Sequence, residues 1–359
     1  MTSALRVLDL GTVSVPRSQA VYHGVASVMG DDDLPVLTLA SPEKPYVCIG
    51  LHQDLEAEVD QAYCRSAGLP VLRRHVGGGA VYLDRDQLFF HFIYPRAEAP
   101  GRVADIYQRF AAPVVATYQS LGIAARLRPI NDIHVEGRKI GGMGAAQIGD
   151  ATVLVGSFMF DFDVATMARC LKVPSEKFRD KLHSTLTDYI TTIRRELGRT
   201  LPREEVIATF RREIAARLDV QPQSDGLRPR EEAAVVDWER QLLDPEWLEQ
   251  PGRRRFAEGV KITGGVSLGE GVHKAAGGLI RARLLSRDGH IADLDISGDF
   301  TCIPASGVSE LCRRLRGEDL AGDLAAAIGG YLQQLDLDLP GVTAQDLAAG
   351  ITAAFKPAD

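Results

Sequence analysis

No long apolar run, no cysteine pair and no excess of positive charge occur in this 359-residue sequence. The longest apolar stretches, such as residues 152–160, fall well short of the ~20 residues that cross a bilayer, so no membrane span is expected. The start, Met1-Thr-Ser-Ala-Leu-Arg6, lacks a basic segment followed by an apolar block, which argues against a secretory leader. Lys and Arg number 41 against 48 Asp and Glu, a net charge of −7 that offers no global attraction for nucleic acid or an anionic membrane. Five cysteines at 48, 64, 170, 302 and 312 form no CxxC motif, which points to a reducing cytoplasm and away from a disulfide framework or zinc site. A P-loop and a GxGxxG opening a helix are also missing, so the familiar nucleotide folds are not indicated. What remains is 45% apolar and 25% charged, the balance of a globular protein long enough for two domains.

Apolar spacing and turn residues predict strands at 45–50, 69–74, 80–83, 88–94, 130–135, 138–140 and 152–160. Helices are expected at 54–67, with Asp54 as its N-cap, and at 104–121, ending at Gly122. Further helices are expected at 165–171, 184–197, 204–218 and 231–243, with 221–230 read as a polar, turn-rich connection. Asp244-Pro245 and residues 251–255 mark a boundary, with a hinge near Pro251-Gly252. Strands at 260–267, 278–285 and 291–296, then helices at 307–315, 321–335 and 343–355, complete a second unit. The expected class is α+β, with a larger domain over 1–250 and a smaller one over 256–359.

Two segments carry groups suited to chemistry. In Arg73-Arg74-His75-Val76-Gly77-Gly78-Gly79-Ala80-Val81-Tyr82, three glycines allow backbone N–H groups to face an anion, and the two arginines can clamp a phosphate or carboxylate. The same residues also suit a flexible turn flanked by surface arginines. In Asn131-Asp132-Ile133-His134-Val135-Glu136-Gly137-Arg138-Lys139-Ile140-Gly141-Gly142, Glu136-Gly137 between alternating arms predicts a two-residue hairpin. Pairing about that turn sets His134 opposite Lys139, Ile133 opposite Ile140 and Asp132 opposite Gly141. Asp132, His134 and Lys139 then share one face, and Ile133, Val135 and Ile140 face the core. Such a face suits a phosphorylated ligand, or equally an exposed Lys–Asp pair on a solvated sheet.

The order RRxxGGGAVY, a helix, then NDIxVxGRKIGG resembles the lipoate–protein ligases, within the biotin/lipoate ligase and octanoyltransferase superfamily. Val47-Cys-Ile-Gly-Leu-His-Gln53 and Ala145-Ala146-Gln147 agree with it, and the resemblance covers roughly residues 5–200. Lys274-Ala-Ala-Gly-Gly278 and Ser297-Gly-Asp-Phe300 resemble the small accessory domain of bipartite lipoate ligases. The resemblance implies a biotin/lipoate-ligase-like catalytic domain with mixed sheets and flanking helices, plus a small α+β accessory domain. It implies ATP-dependent ligation of lipoate, through lipoyl-AMP, to a lysine of an acceptor protein domain. Lys139 would be the catalytic lysine, and Arg74, Gly77, Gly78, Gly79 and Ala80 would line the acyl and acyl-phosphate site. Asn131 and Asp132 would hold the phosphates, Mg2+ or the adenylate, with Asp132 the candidate metal ligand, and Gly141 and Gly142 would lie beside them. Three positions depart from the family pattern by losing polarity: Val76, Leu83 and Val155. Two other activities share the fold: acyl transfer of octanoate or lipoate from a carrier thioester, and a repurposed lipoyl-binding role. The cysteine-dependent transferases place a nucleophile near the GRKI segment, yet residues 126–133 and 140–169 contain no cysteine.

Overall fold

A computed structural model of the chain describes residues 3–250 and 265–355. Strand β1 (Ser3–Val13) ends at Ser14, whose side chain accepts the Arg17 N–H and caps α1 (Val15–Ser27). β2 (Val36–Pro42) and β3 (Tyr46–Ile49) are buried throughout. Next come α2 (Leu55–Glu58), α3 (Gln61–Ser66), β4 (Val71–Arg73), β5 (Val81–Leu83), β6 (Gln87–Pro95) and α4 (Val103–Ser120). The site-bearing strands are β7 (Arg126–Arg128), β8 (Asp132–Val135), β9 (Arg138–Ile148) and β10 (Ala151–Met159). After them lie α5 (Val164–Cys170), α6 (Glu176–Tyr189), α7 (Ile193–Leu197), α8 (Arg203–Leu218), β11 (Val220–Ser224), α9 (Pro229–Leu242) and α10 (Pro245–Glu249).

By its contacts the chain divides into two units: one runs to Leu248, and the other holds residues from Glu249 together with Gly50–Asp54 and Gly77–Gly79. In the first, an eight-stranded mixed sheet has the order β11-β1-β2-β6-β10-β9-β8-β7, and a small sheet has the order β4-β3-β5. α1 buries Tyr22, Val25 and Ala26 against Val36, Ile93 and Val153 on one face of the large sheet. On the other face Phe110 of α4 and Phe210 of α8 meet Phe90, Phe92 and Phe158, with ring centroids 4.9–5.9 Å apart. Adjacent β6 residues therefore serve opposite cores, as strand alternation requires. Arg6 of β1, 4% exposed, sets Nη1 2.5 Å from Glu231 of α9 and Nε 2.5 Å from Asp225.

The second unit is an antiparallel sheet of β12 (Val266–Ala275), β13 (Gly278–Arg287) and β14 (His290–Gly298). Alternate β13 residues Ile280, Ala282 and Leu284 are buried among α11 (Gly307–Arg314), α12 (Leu324–Gln334) and α13 (Ala344–Ala354). Among the described residues, no helix is long and apolar enough to cross a membrane.

Several sequence expectations need correction. The helix expected at 54–67 is two helices, because Val59 pairs with Leu171 as an isolated bridge and Asp60, not Asp54, caps the second. Asp54, the residue before α2, forms a 2.7 Å ion pair with Arg283. The helix expected at 184–197 begins at Glu176 and stops at Tyr189, where Ile190 leaves to pair with Lys139 and Thr192 caps α7. The polar stretch after Val220 is strand β11, held in parallel register against β1 at the sheet edge. The strand expected at 138–140 continues to Ile148. The hinge at Pro251-Gly252, residues 253–255 and the start of the strand expected at 260–267 lie outside the described residues.

Candidate active site

Glu136 and Gly137 both take positive φ, 49° and 85°, and make the tight turn that joins β8 to β9. His134 stands opposite Lys139, as the turn predicts, but beyond it the register slips: Ile133 pairs with Gly141 and Asp132 with Gly142. Ile140 is thus the extra residue of a β-bulge, and its carbonyl accepts the Tyr118 hydroxyl of α4 at 3.2 Å. The bulge keeps Ile133, Val135 and Ile140 in the core, each at most 3% exposed. It also places Gly142, which has no side chain, on the face shared by Asp132 and Lys139. A Cβ there would lie 3.0 Å from Lys139 Nζ and 3.5 Å from Asp132 Oδ1. The gap lets the ammonium lean across to Asp132, and Nζ–Oδ1 is 2.7 Å.

The cluster has further fixed members. His134 is buried, with Nδ1 3.2 Å from the Gly137 carbonyl and Nε2 3.7 Å from Asp132 Oδ2. Asn131 Nδ2 donates to the Met143 carbonyl at 2.5 Å, so its side-chain amide braces β9. Gly141 packs beside the Ser157 carbonyl. Lys139 and Asp132 side chains are 34% and 24% exposed, which leaves both reachable by a ligand. This arrangement can present one localised positive charge, backed by a carboxylate, to an anionic group.

The arginine–glycine segment is distributed differently. Arg73 is fully buried: Nε and Nη2 donate to the Leu248 carbonyl at 2.9 and 2.8 Å, and Trp247 Nε1 donates to the Arg73 carbonyl at 2.8 Å. That pairing ties β4 to α10 and corrects the picture of Arg73 as a surface or anion-facing residue. Arg74 is also buried, with Nη1 3.1 Å from the Cys48 carbonyl. Ala80 packs at the edge of the cluster formed by Val47, Ile49 and Tyr82. Gly77, Gly78 and Gly79 belong to the second unit. There a Cβ on Gly77 would sit 2.6 Å from the Phe300 carbonyl oxygen, so close backbone approach requires glycine. In the same unit the Gly298 N–H donates to the His52 carbonyl at 2.9 Å, and the His52 ring stacks on Phe300 at 5.3 Å.

The three apolar departures fill space. Val76 is fully buried in the cluster with Tyr22 and Val153, Val155 packs against that cluster, and Leu83 packs on Tyr46 and Cys48. Tyr189 was not anticipated from the sequence. Its hydroxyl lies 3.3 Å from His134 Nε2, at the end of a helix with no buried residue.

The lipoyl protein ligase A/B catalytic domain, as a family model, matches residues 21–215, more than half of the chain. Lipoate–protein ligase 1 of Staphylococcus aureus is 32% identical over 162 residues, 45% of this chain and 48% of that protein. Lipoate-protein ligase LplJ of Bacillus subtilis is 31% identical over 196 residues, 55% of this chain and 57% of that one. The chain thus spans about half the length of these curated relatives. Among solved structures, a bipartite lipoate protein ligase from Thermoplasma acidophilum, described with its E2 lipoyl domain, has TM-score 0.65 at 24% identity, covering 72% of this chain and 100% of that one. P. falciparum LipL1 in complex with lipoate has TM-score 0.67 at 15% identity, covering 93% of this chain and 95% of its own. At those identities the two structures speak for the fold, which is α+β with mixed sheets and flanking helices. By the extent of the family match, the chain belongs to the lipoyl protein ligase A/B catalytic domain family.

Proposed function

We propose that this protein joins lipoate to a lysine of an acceptor protein domain at the expense of ATP, through enzyme-bound lipoyl-AMP. The observation that carries this reading is the Lys139–Asp132 pair in the gap left by Gly142, on the hairpin that holds the family's lysine motif. A lipoate carboxylate attacking the α-phosphorus of ATP must approach like charge, and pyrophosphate leaves with more of it. A fixed ammonium at that point lowers the barrier electrostatically, as in phosphoryl-transfer sites generally. Lys139 therefore acts as a clamp and not as a base, and no protein nucleophile is required. Arg74, Gly77, Gly78, Gly79 and Ala80 contribute the acyl and acyl-phosphate contacts in this reading, and Asn131, Gly141 and Gly142 those to the nucleotide.

Among the described residues no group of three or more His, Cys, Asp or Glu side chains could cage a metal. A nucleotide-borne Mg2+ needs only one or two carboxylates besides the phosphates, and Asp132 fits that demand. The ion would neutralise phosphate charge. Residues 1–250 carry the chemistry here, and 256–359 form the accessory domain. Five unbridged thiols suit the cytoplasm.

Thioester transfer is the competing chemistry, and it needs an activated thiolate. All five cysteines are buried. Burial pushes Cys48 up despite the nearby Arg74, and pushes Cys302 and Cys312 up to about 12. Cys64 and Cys170 interact with each other in an apolar cluster, which lowers the Cys64 thiol and raises that of Cys170, and neither lies in the arginine–glycine or hairpin segment. A variant with all five cysteines replaced is expected to retain most ATP-dependent acylation of an acceptor lysine, read by intact-protein mass spectrometry. An octanoyl thioester trapped on any of the five without ATP would instead establish the transferase.

A further inference from the structure

Residues 189–191 meet the hairpin both at the Lys139 backbone and at the His134 side chain. At the backbone, the Thr191 N–H donates to the Lys139 carbonyl at 2.9 Å, and Ile190 pairs with Lys139 in a parallel bridge. The β9–β10 ladder runs only from Met143 to Ile148, so this short bridge supports β9 at the lysine itself. At the side chain, the Tyr189 hydroxyl lies 3.3 Å from His134 Nε2, and the same ring nitrogen lies 3.7 Å from Asp132 Oδ2. Arg128 Nη1 donates to the same hydroxyl at 3.3 Å, and the Tyr189 ring meets the His134 ring edge-on at 5.5 Å. His134 cannot turn freely, because Nδ1 is held at the Gly137 carbonyl. Asp132 has His134 beside Oδ2 on one side and holds Lys139 Nζ at Oδ1 on the other.

We propose that Tyr189 is a positioning residue of this site: with His134 it fixes the Asp132 carboxylate, and Asp132 fixes the Lys139 ammonium where substrate charge develops. The proposal rests on the ligase reading above and adds a residue that the hairpin motif does not contain. Its physical basis is that a lysine ammonium rides on four rotatable carbons and clamps a transition state only if its place is held to about 0.5 Å.

Tyr189→Phe keeps the ring against His134 and removes only the hydroxyl. We expect kcat for lipoyl-AMP formation to fall about tenfold, since small misplacements of reacting groups carry losses up to ~10²-fold. The KM values for lipoate and ATP should stay within about twofold, because Tyr189 touches neither substrate in this scheme. If the tyrosine acts through the carboxylate, Tyr189→Phe added to Asp132→Asn should lower the rate no further than Asp132→Asn alone. A second readout needs no turnover: Lys139 in Tyr189→Phe should be acetylated by an N-hydroxysuccinimide ester several-fold faster than in the unaltered protein, by peptide mass spectrometry. Unchanged kcat, a change confined to KM, multiplicative losses in the double variant, or unchanged Lys139 labelling would each overturn the positioning role. If the unaltered protein forms no lipoyl-AMP while Tyr189→Phe still speeds the labelling, the ligase reading fails and the positioning of Lys139 stands.

Discussion

Lys139→Ala should lower the rate of lipoyl-AMP formation by at least ~10²–10³-fold, the scale on which a single electrostatic contact to a developing charge acts. The fold should survive the change. The side chain is one-third exposed, and its partner Asp132 keeps His134 as a neighbour. Partly exposed ion pairs contribute little stability, on the order of 0–1 kcal/mol, so thermal unfolding should move by only a few degrees. A pyrophosphate-release assay beside a melting curve separates the two quantities. Near-normal turnover by the alanine variant would remove Lys139 from the chemistry.

Arg6→Ala should show the opposite pattern, a large loss of stability far from the hairpin. Its guanidinium sits between Glu231 and Asp225, and Nη2 also donates to the Gly226 carbonyl at 2.9 Å. Glu231 is 3% exposed, and removing its partner strands a buried carboxylate, a change that typically costs about 3–5 kcal/mol. Denaturant unfolding should report that loss, equivalent to roughly 10 °C in the melting midpoint. Replacing both partners with apolar residues, Arg6→Met with Glu231→Leu, should recover most of it, because a buried pair exchanged for hydrophobic packing is often neutral. A loss below about 1 kcal/mol for Arg6→Ala would show that the Arg228 backbone N–H, which donates to Glu231 at 2.8 Å, and solvent do most of the compensation. The pair joins the first strand to α9, and α10 just beyond carries the carbonyl that holds Arg73.

The hairpin was legible because its information is local. Glu136-Gly137 selects the turn, and alternation on each arm sorts Asp132, His134 and Lys139 from Ile133, Val135 and Ile140. The bulge at Ile140 was not legible, since it depends on the Tyr118 hydroxyl some twenty residues earlier in sequence. Tyr189 escaped for the same reason: it is fifty residues from Lys139, on a helix whose exposed spacing carries no core signal. Its one hint was an aromatic residue directly before the run Ile190-Thr191-Thr192, where a helix ends and an extended pairing begins. The glycine triplet stood out in the sequence as an anion-facing segment, but the reason Gly77 must be glycine lies at Phe300, over two hundred residues later. The strand after Val220 shows how edge position defeats periodicity. It pairs on one side only, so its polar residues remain in contact with solvent.

Adenylation itself leaves an isotopic trace that no thioester pathway can produce. In the ligase mechanism a lipoate carboxylate oxygen becomes the bridge to the α-phosphorus, and it departs with AMP when the acceptor lysine attacks the acyl carbon. Lipoate labelled with 18O in both carboxylate positions, incubated with the protein, ATP and an apo-lipoyl domain, should therefore yield AMP carrying one 18O per lipoyl-lysine formed. Lipoyl-lysine that accumulates without 18O in AMP, or that forms without ATP, would contradict the account.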